Sequence, residues 1–207
     1  MTTYNVSTSG ELQTAITACT YGDTILLLAA GVFENTGLVL PNKGAGSDYI
    51  TLTTQGTIPS FLNSYPNDYV NGTYTRVTTA MAAVMPKVLT TADQPVIAFA
   101  NDAHHWKVLG LELSNNTPDQ TIQQLVGTNL RNHHLWIENC WVHPQEENGT
   151  DNNIIERSVN QAIIANGDSI TIIKNAITGF TGYSYGFTFR LEASCILSSY
   201  LADSLIE

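Results

Sequence analysis

The sequence predicts an all-β protein, a short parallel β-solenoid forming one domain (residues 1–207) with an N-terminal capping helix. Two observations predict it. Residues 11–54 read as a helix, a Gly22-Asp23 turn, and then brief apolar runs at 24–28, 38–40 and 49–52, separated by small residues and by Pro41-Asn42-Lys43-Gly44. A short helix feeding brief strands is how a solenoid starts, because its open apolar end must be covered. The second observation is an internal repeat: residues 104–113 can be laid over 133–142 and then over 168–177.

Taken in order, residues 4–7 form a first strand and Ser9 is the natural N-cap of a helix over 10–20. Leu12, Ile16 and Cys19 fall on one face of that helix, and Glu11 sits in its first turn. Residues 57–95, rich in Tyr, Asn, Thr, Pro and Gly, read as a long lateral loop. In each repeat copy the third and fifth positions are apolar (Trp106 and Val108; Leu135 and Ile137; Ile170 and Ile172), and so is the tenth (Leu113, Val142, Ile177). That is the alternation of a strand with one face inside, and stacking would align these positions into interior ladders. Ala162, Ile163 and Ile164 mark a further strand. Residues 183–207 read as a divergent C-terminal cap or tail, with one alternating aromatic strand and then a loose helical stripe of Leu191, Cys195, Leu201 and Leu205.

These motifs resemble the right-handed parallel β-helix proteins of the pectate-lyase-like superfamily, closest to a poorly characterised bacterial or phage group. The residues that carry the likeness are Leu12-Gln13 with Ala15-Ile16, Gly22-Asp23-Thr24-Ile25, Ala29-Ala30-Gly31-Val32-Phe33 and Leu40-Pro41-Asn42-Lys43-Gly44. Thr75-Arg76-Val77, Met85-Pro86-Lys87-Val88 and the two His-His segments follow in the same order. The likeness runs over residues 6–180 and is lost beyond Gly179, where the related proteins continue into more coils. It implies a right-handed β-helix and, in the enzymes of the superfamily, elimination next to a uronate using bound calcium and a Lys or Arg base.

The chain carries a formal charge of −10 with 13% charged residues, so its acidity reflects few Lys and Arg rather than acidic runs. Nucleic-acid binding, which rests on clustered cations, is not expected. A polyanion would be repelled at long range unless a local cationic groove or a bound metal reversed the field. No run of about 18 apolar residues is present, so no membrane span is expected. The opening Met-Thr-Thr-Tyr-Asn has no basic n-region or apolar h-region, so no secretory signal is expected in this stretch; either export without a classical leader, as for a virion part, or removal of a leader would account for that, and a virion or extracellular surface location is an expectation. Cys19, Cys140 and Cys195 are too dispersed for a disulfide framework, and the first two read as small core residues. Asn71, Asn115 and Asn148 stand in Asn-x-Thr triplets and read as ordinary loop asparagines.

Ligand-binding candidates are Tyr65, Tyr69, Tyr74 and Trp106, whose rings could stack on sugar faces, with Lys107, Glu112 and Glu138 as polar partners. The plainer reading of the three tyrosines is that they cover a small core of their own loop. Solvent-facing Lys107, Glu112, Glu138, Asp168 and Lys174, with Arg131, are the candidates for lyase chemistry, but no catalytic residue of the superfamily falls on a matching motif. A glycosidase would need two carboxylates about 5–9 Å apart, and nothing in the register puts Glu112 beside Glu138. All five histidines (His104, His105, His133, His134, His143) lie in or near the repeats. The two pairs are in register, so stacked imidazoles, His104 and His133 above all, could bind a transition metal; the plainer reading is turn residues bonded between coils. Asp151 in an acidic loop is a further metal candidate, with calcium the possible ion, although the spacing of a calcium loop is missing. The expected function is a non-catalytic β-helix module, structural or glycan-binding, such as a virion or surface component. The alternative is a polysaccharide lyase or glycosidase. Expected partners are a polysaccharide and, through a short solenoid, a second copy or a larger assembly.

Overall fold

The computed structural model describes residues 1–59, 77–116, 122–144, 159–177, 185–189 and 195–201. The chain is mostly β, and every described strand pair is parallel. It runs β1 (Thr3–Val6), α1 (Ser9–Ala18), β2 (Thr24–Leu27), β3 (Val32–Asn35), β4 (Leu38–Leu40), β5 (Ile50–Thr54), α2 (Thr79–Ala82), β6 (Lys87–Thr90), β7 (Ile97–Phe99), β8 (His104–Leu109), β9 (Glu112–Asn115), β10 (Ile122–Gly127), β11 (His133–Glu138), β12 (Trp141–Val142), β13 (Val159–Ala165), β14 (Asp168–Ile177), β15 (Tyr185–Phe189) and β16 (Cys195–Leu201). Successive strands deal themselves onto three stacks. The first is β1-β2-β5-β8-β11-β14, the second β3-β6-β9-β12-β14, and the third β4-β7-β10-β13-β15. The ten-residue β14 serves the first two stacks in turn: its start pairs with β11 and its end with β12.

The repeat lies in the register expected of it. Leu135 pairs with Trp106 and Ile170, Ile137 with Val108 and Ile172, and Val142 with Leu113 and Ile177. Ladders such as Ile25–Leu52–Val108–Ile137–Ile172 are fully buried and form the core, with Phe33–Val88–Leu113–Val142–Ile177 facing them from the second stack. Burying each such side chain contributes about 1.5–3 kcal/mol. Cys19 and Cys140 are buried and free, and burial pushes the Cys140 thiol up to about 12, so it is an inert core residue.

Helix α1 packs against β1, β2 and β3, burying Leu12, Ala15 and Ile16. Its N-cap is Thr8, one residue before Ser9: the Thr8 hydroxyl accepts from the Glu11 backbone while the Glu11 carboxylate accepts from Thr8 and Ser7, a capping box that Ser9 could not close. Asp23, 3% exposed, follows the helix and accepts hydrogen bonds from the Thr20 backbone and hydroxyl and from the Thr2 backbone. The Thr20 backbone bond, foremost, with the Thr2 bond, holds its carboxyl below the ordinary value. Asp23→Ala should therefore cost about 1.5–3 kcal/mol. Because the folded carboxyl sits below its unfolded value of about 3.9, this stability is present above that pH and is lost as pH falls through the folded value. Chemical denaturation of both proteins across pH should show the gap between them closing in acid.

Three expectations are corrected. The stripe of residues 191–206 is not helical in its described part: Cys195–Leu201 is a strand, parallel to β14 in register Ile172↔Leu197, because the open edge of β14 offers unpaired backbone groups. Residues 87–90 of the supposed lateral loop are β6, and residues 60–76 of it lie outside the described residues. Asn115 is no loop residue; it ends β9 and is fully buried.

The backbone enters the left-handed region at two positions that repeat in register, one at the second residue of β8, β11 and β14 and one five residues on. His105, His134 and Ser169 have φ of 53°, 52° and 54°, and Gly110, Asn139 and Lys174 have φ of 68°, 52° and 54°. The left-handed region suits glycine, and only Gly110 meets that preference. Asn139→Gly should raise the unfolding free energy by roughly 0.5–1 kcal/mol, since the strain relieved exceeds the added chain entropy. It also removes the buried, partnerless Oδ1 of Asn139. Urea unfolding measures the gain.

Candidate functional site

Two outward faces carry chemistry. On the first stack, alternation turns Thr51, Lys107, Trp136 and Thr171 outward in one cross-strand column. The part-exposed Trp136 donates its indole N–H to Glu138 Oε2 at 2.9 Å, and Glu138 Oε1 lies 3.2 Å from Lys174 Nζ. Lys107 Nζ stands 4.4 Å above the indole ring. Tyr49 meets Trp136 edge-on with ring centres 6.5 Å apart, and burial raises its phenol above the ordinary range. The result is a partly exposed aromatic plane with one ammonium group over it and a carboxylate–ammonium pair at its edge.

At the start of the same strands the histidines form a block. His104 stacks on His133 at 4.6 Å and His105 on His134 at 4.7 Å, nearly parallel in both cases, while Tyr21 stacks on His104 at 5.1 Å. Within each pair the Nδ1 atoms approach to 2.7 Å (His104 and His105) and 2.9 Å (His133 and His134). Burial first, then the neighbouring imidazoles, push His105 and His133 below the ordinary histidine range, so these rings favour the neutral form.

On the second stack Lys87, Glu112 and Trp141 share a column. Glu112 is 4% exposed. Its Oε1 accepts from Lys87 Nζ at 3.0 Å and lies 3.2 Å from His143 Nε2. Its Oε2 is also 3.0 Å from Lys87 Nζ but lacks hydrogen-bond alignment. His143 in turn stacks on Trp141 at 3.9 Å. Met85 and Ala176, with Val77, Met81 and Trp141, pack beside this cluster, so the segment around α2 contributes to its apolar surroundings.

Several sequence candidates change place. Trp106 is not a surface ring: it points inward with no exposure and donates its indole N–H to the Pro41 carbonyl at 2.9 Å. Glu112 does not face solvent, because Lys87 and His143 close over it. Lys107 and Glu138 are on the outer face as expected, and His104 and His133 stack. Glu112 and Glu138 occupy different stacks. Tyr65, Tyr69, Tyr74 and Asp151 lie outside the described residues. Sequence reasoning missed Trp136 and Tyr49, although Trp136 shares the outward register position of Lys107.

Fold and face together define a parallel stacked-strand protein with an aromatic, cation-edged outer surface. No family model and no curated protein matches the chain. Among solved structures it is similar to an alginate lyase from Paenibacillus sp. str. FPU-7, with a TM-score of 0.54 and 11% identity over 84% of this chain and 44% of that one. At that identity the likeness concerns the fold alone, and this chain spans less than half of the lyase's length.

Proposed function

We propose that the chain is a right-handed parallel β-helix of the pectate-lyase-like kind whose first-stack face binds an acidic polysaccharide without cleaving it. The observation that carries this reading is Trp136, a partly exposed indole on a regular sheet with Lys107 above it and the Glu138–Lys174 pair beside it. An indole stacks on the apolar face of a sugar ring, and the ammonium groups pair with uronate carboxylates. Such local cations offset the repulsion that a chain of charge −10 exerts on a polyanion, so binding weakens as salt is added.

A second reading, a polysaccharide lyase, is favoured by the resemblance in fold to the alginate lyase. It places the chemistry on Lys107 or Lys174 as base, with calcium or an ammonium neutralising the uronate carboxylate. Incubation with polyuronate and neutral polysaccharides, with and without calcium, separates the two. Retention of a polyuronate without unsaturated products supports the binding module, and release of unsaturated uronates supports the lyase. Neither binding nor turnover on any polyuronate overturns both.

A further inference from the structure

The histidine block plays no part in the sugar-binding reading. His104 Nε2 lies 2.9 Å from the Gly44 carbonyl, which can only accept, and 2.9 Å from the Tyr21 hydroxyl, which gives its own proton to that carbonyl, so Nε2 is the donor to both. In a neutral His104 ring the lone pair is therefore on Nδ1, facing His105 Nδ1 at 2.7 Å. A ring that gives one N–H to a backbone carbonyl and turns its other nitrogen inward has the arrangement metal-binding histidines adopt, because the carbonyl fixes tautomer and orientation. One ring nitrogen each from His104, His105 and His133 lie within 4.8 Å of one another.

We propose that His104, His105 and His133 bind one borderline divalent transition-metal ion, of the zinc, cobalt or copper class, with water completing the shell. Imidazole suits such ions. Nitrogens on one tetrahedral zinc lie ~3.3 Å apart, set by bonds of ~2.0–2.1 Å. Closing the set from 4.8 Å thus needs shifts that total ~1.5 Å, within reach of side-chain rotation. The 2.7 Å contact puts the one ring proton of a neutral His105 on its Nδ1; as the metal takes that nitrogen, solvent carries the proton to His105 Nε2, so the ring stays neutral and no net proton is released. The carboxylates of Asp48, Asp102 and Asp168 lie close enough to act on these rings and favour a cation there. His134, stacked on His105, is a fourth ring at the margin.

Isothermal titration of the tag-free full chain with zinc chloride, and the visible absorption of cobalt(II) added to it, test the site. The expected result is one ion per chain, cobalt bands of low coordination number, and a raised melting temperature with zinc. The stoichiometric event should be lost in His105→Ala/His133→Ala and kept in His143→Gln, which removes the one histidine outside the block. Circular dichroism checks folding; should the double variant not fold, His133→Gln is read in its place, with at least a tenfold loss of affinity expected. Absence of binding by the wild type, or undiminished binding by a folded variant, overturns the proposal and leaves the block as a stacked, hydrogen-bonded corner.

Discussion

Trp106→Ala should lower the unfolding free energy by about 3–5 kcal/mol, the range for deleting a buried tryptophan. The indole is fully buried on β8, stacked between Ile50 and Leu135 in the ladder, and its N–H holds the Pro41 carbonyl between β4 and β5. Removing it opens a cavity that the rungs above and below cannot close without shifting their own backbones, and it orphans a carbonyl. Urea unfolding at neutral pH gives the size of the loss. Any polysaccharide binding by the fraction that stays folded should be unchanged, since the ring points away from the outer face. A loss below about 1 kcal/mol would mean that the interior ladder is not packed as described.

Trp136→Ala should do the reverse. The ring is partly exposed and its indole N–H bonds to the side chain of Glu138, so stability should change far less than for Trp106→Ala, while affinity for a polyuronate falls by about 30-fold, the effect of losing a binding hot spot of about 2 kcal/mol. Lys107→Ala and Lys174→Ala should each weaken binding by less and flatten its salt dependence, because they act as local charge rather than as a stacking platform. The contrast between the two tryptophans, one register step apart on neighbouring strands, separates interior from binding face within a single fold.

That contrast was within reach of the sequence. The third position of each repeat copy is interior, which puts Trp106 beside Leu135 and Ile170, and the fourth position is outward, which puts Trp136 beside Lys107 and Thr171. Reading aromatic residues as surface rings without applying the alternation picks Trp106, which points inward. Glu112 was harder: nothing local shows that Lys87, 25 residues upstream, and His143, on the following coil, close over it. The left-handed bends were harder still, because His105, His134, Ser169, Asn139 and Lys174 carry no glycine signal for their backbone, and of these repeated positions only Gly110 does. Leu201 and its neighbours misled for another reason. A short apolar run fits both periods, and what decides for a strand is the exposed edge of β14, a tertiary fact.

The most direct measurement is a calorimetric titration of the wild type and of Trp136→Ala with a polyuronate fragment of defined length at low and at physiological salt. The account predicts saturable, salt-weakened binding by the wild type, no unsaturated product in the cell afterwards, and roughly 30-fold weaker binding by the variant. Equal affinities for the two proteins, or no heat of binding with any polyuronate at low salt, would contradict it.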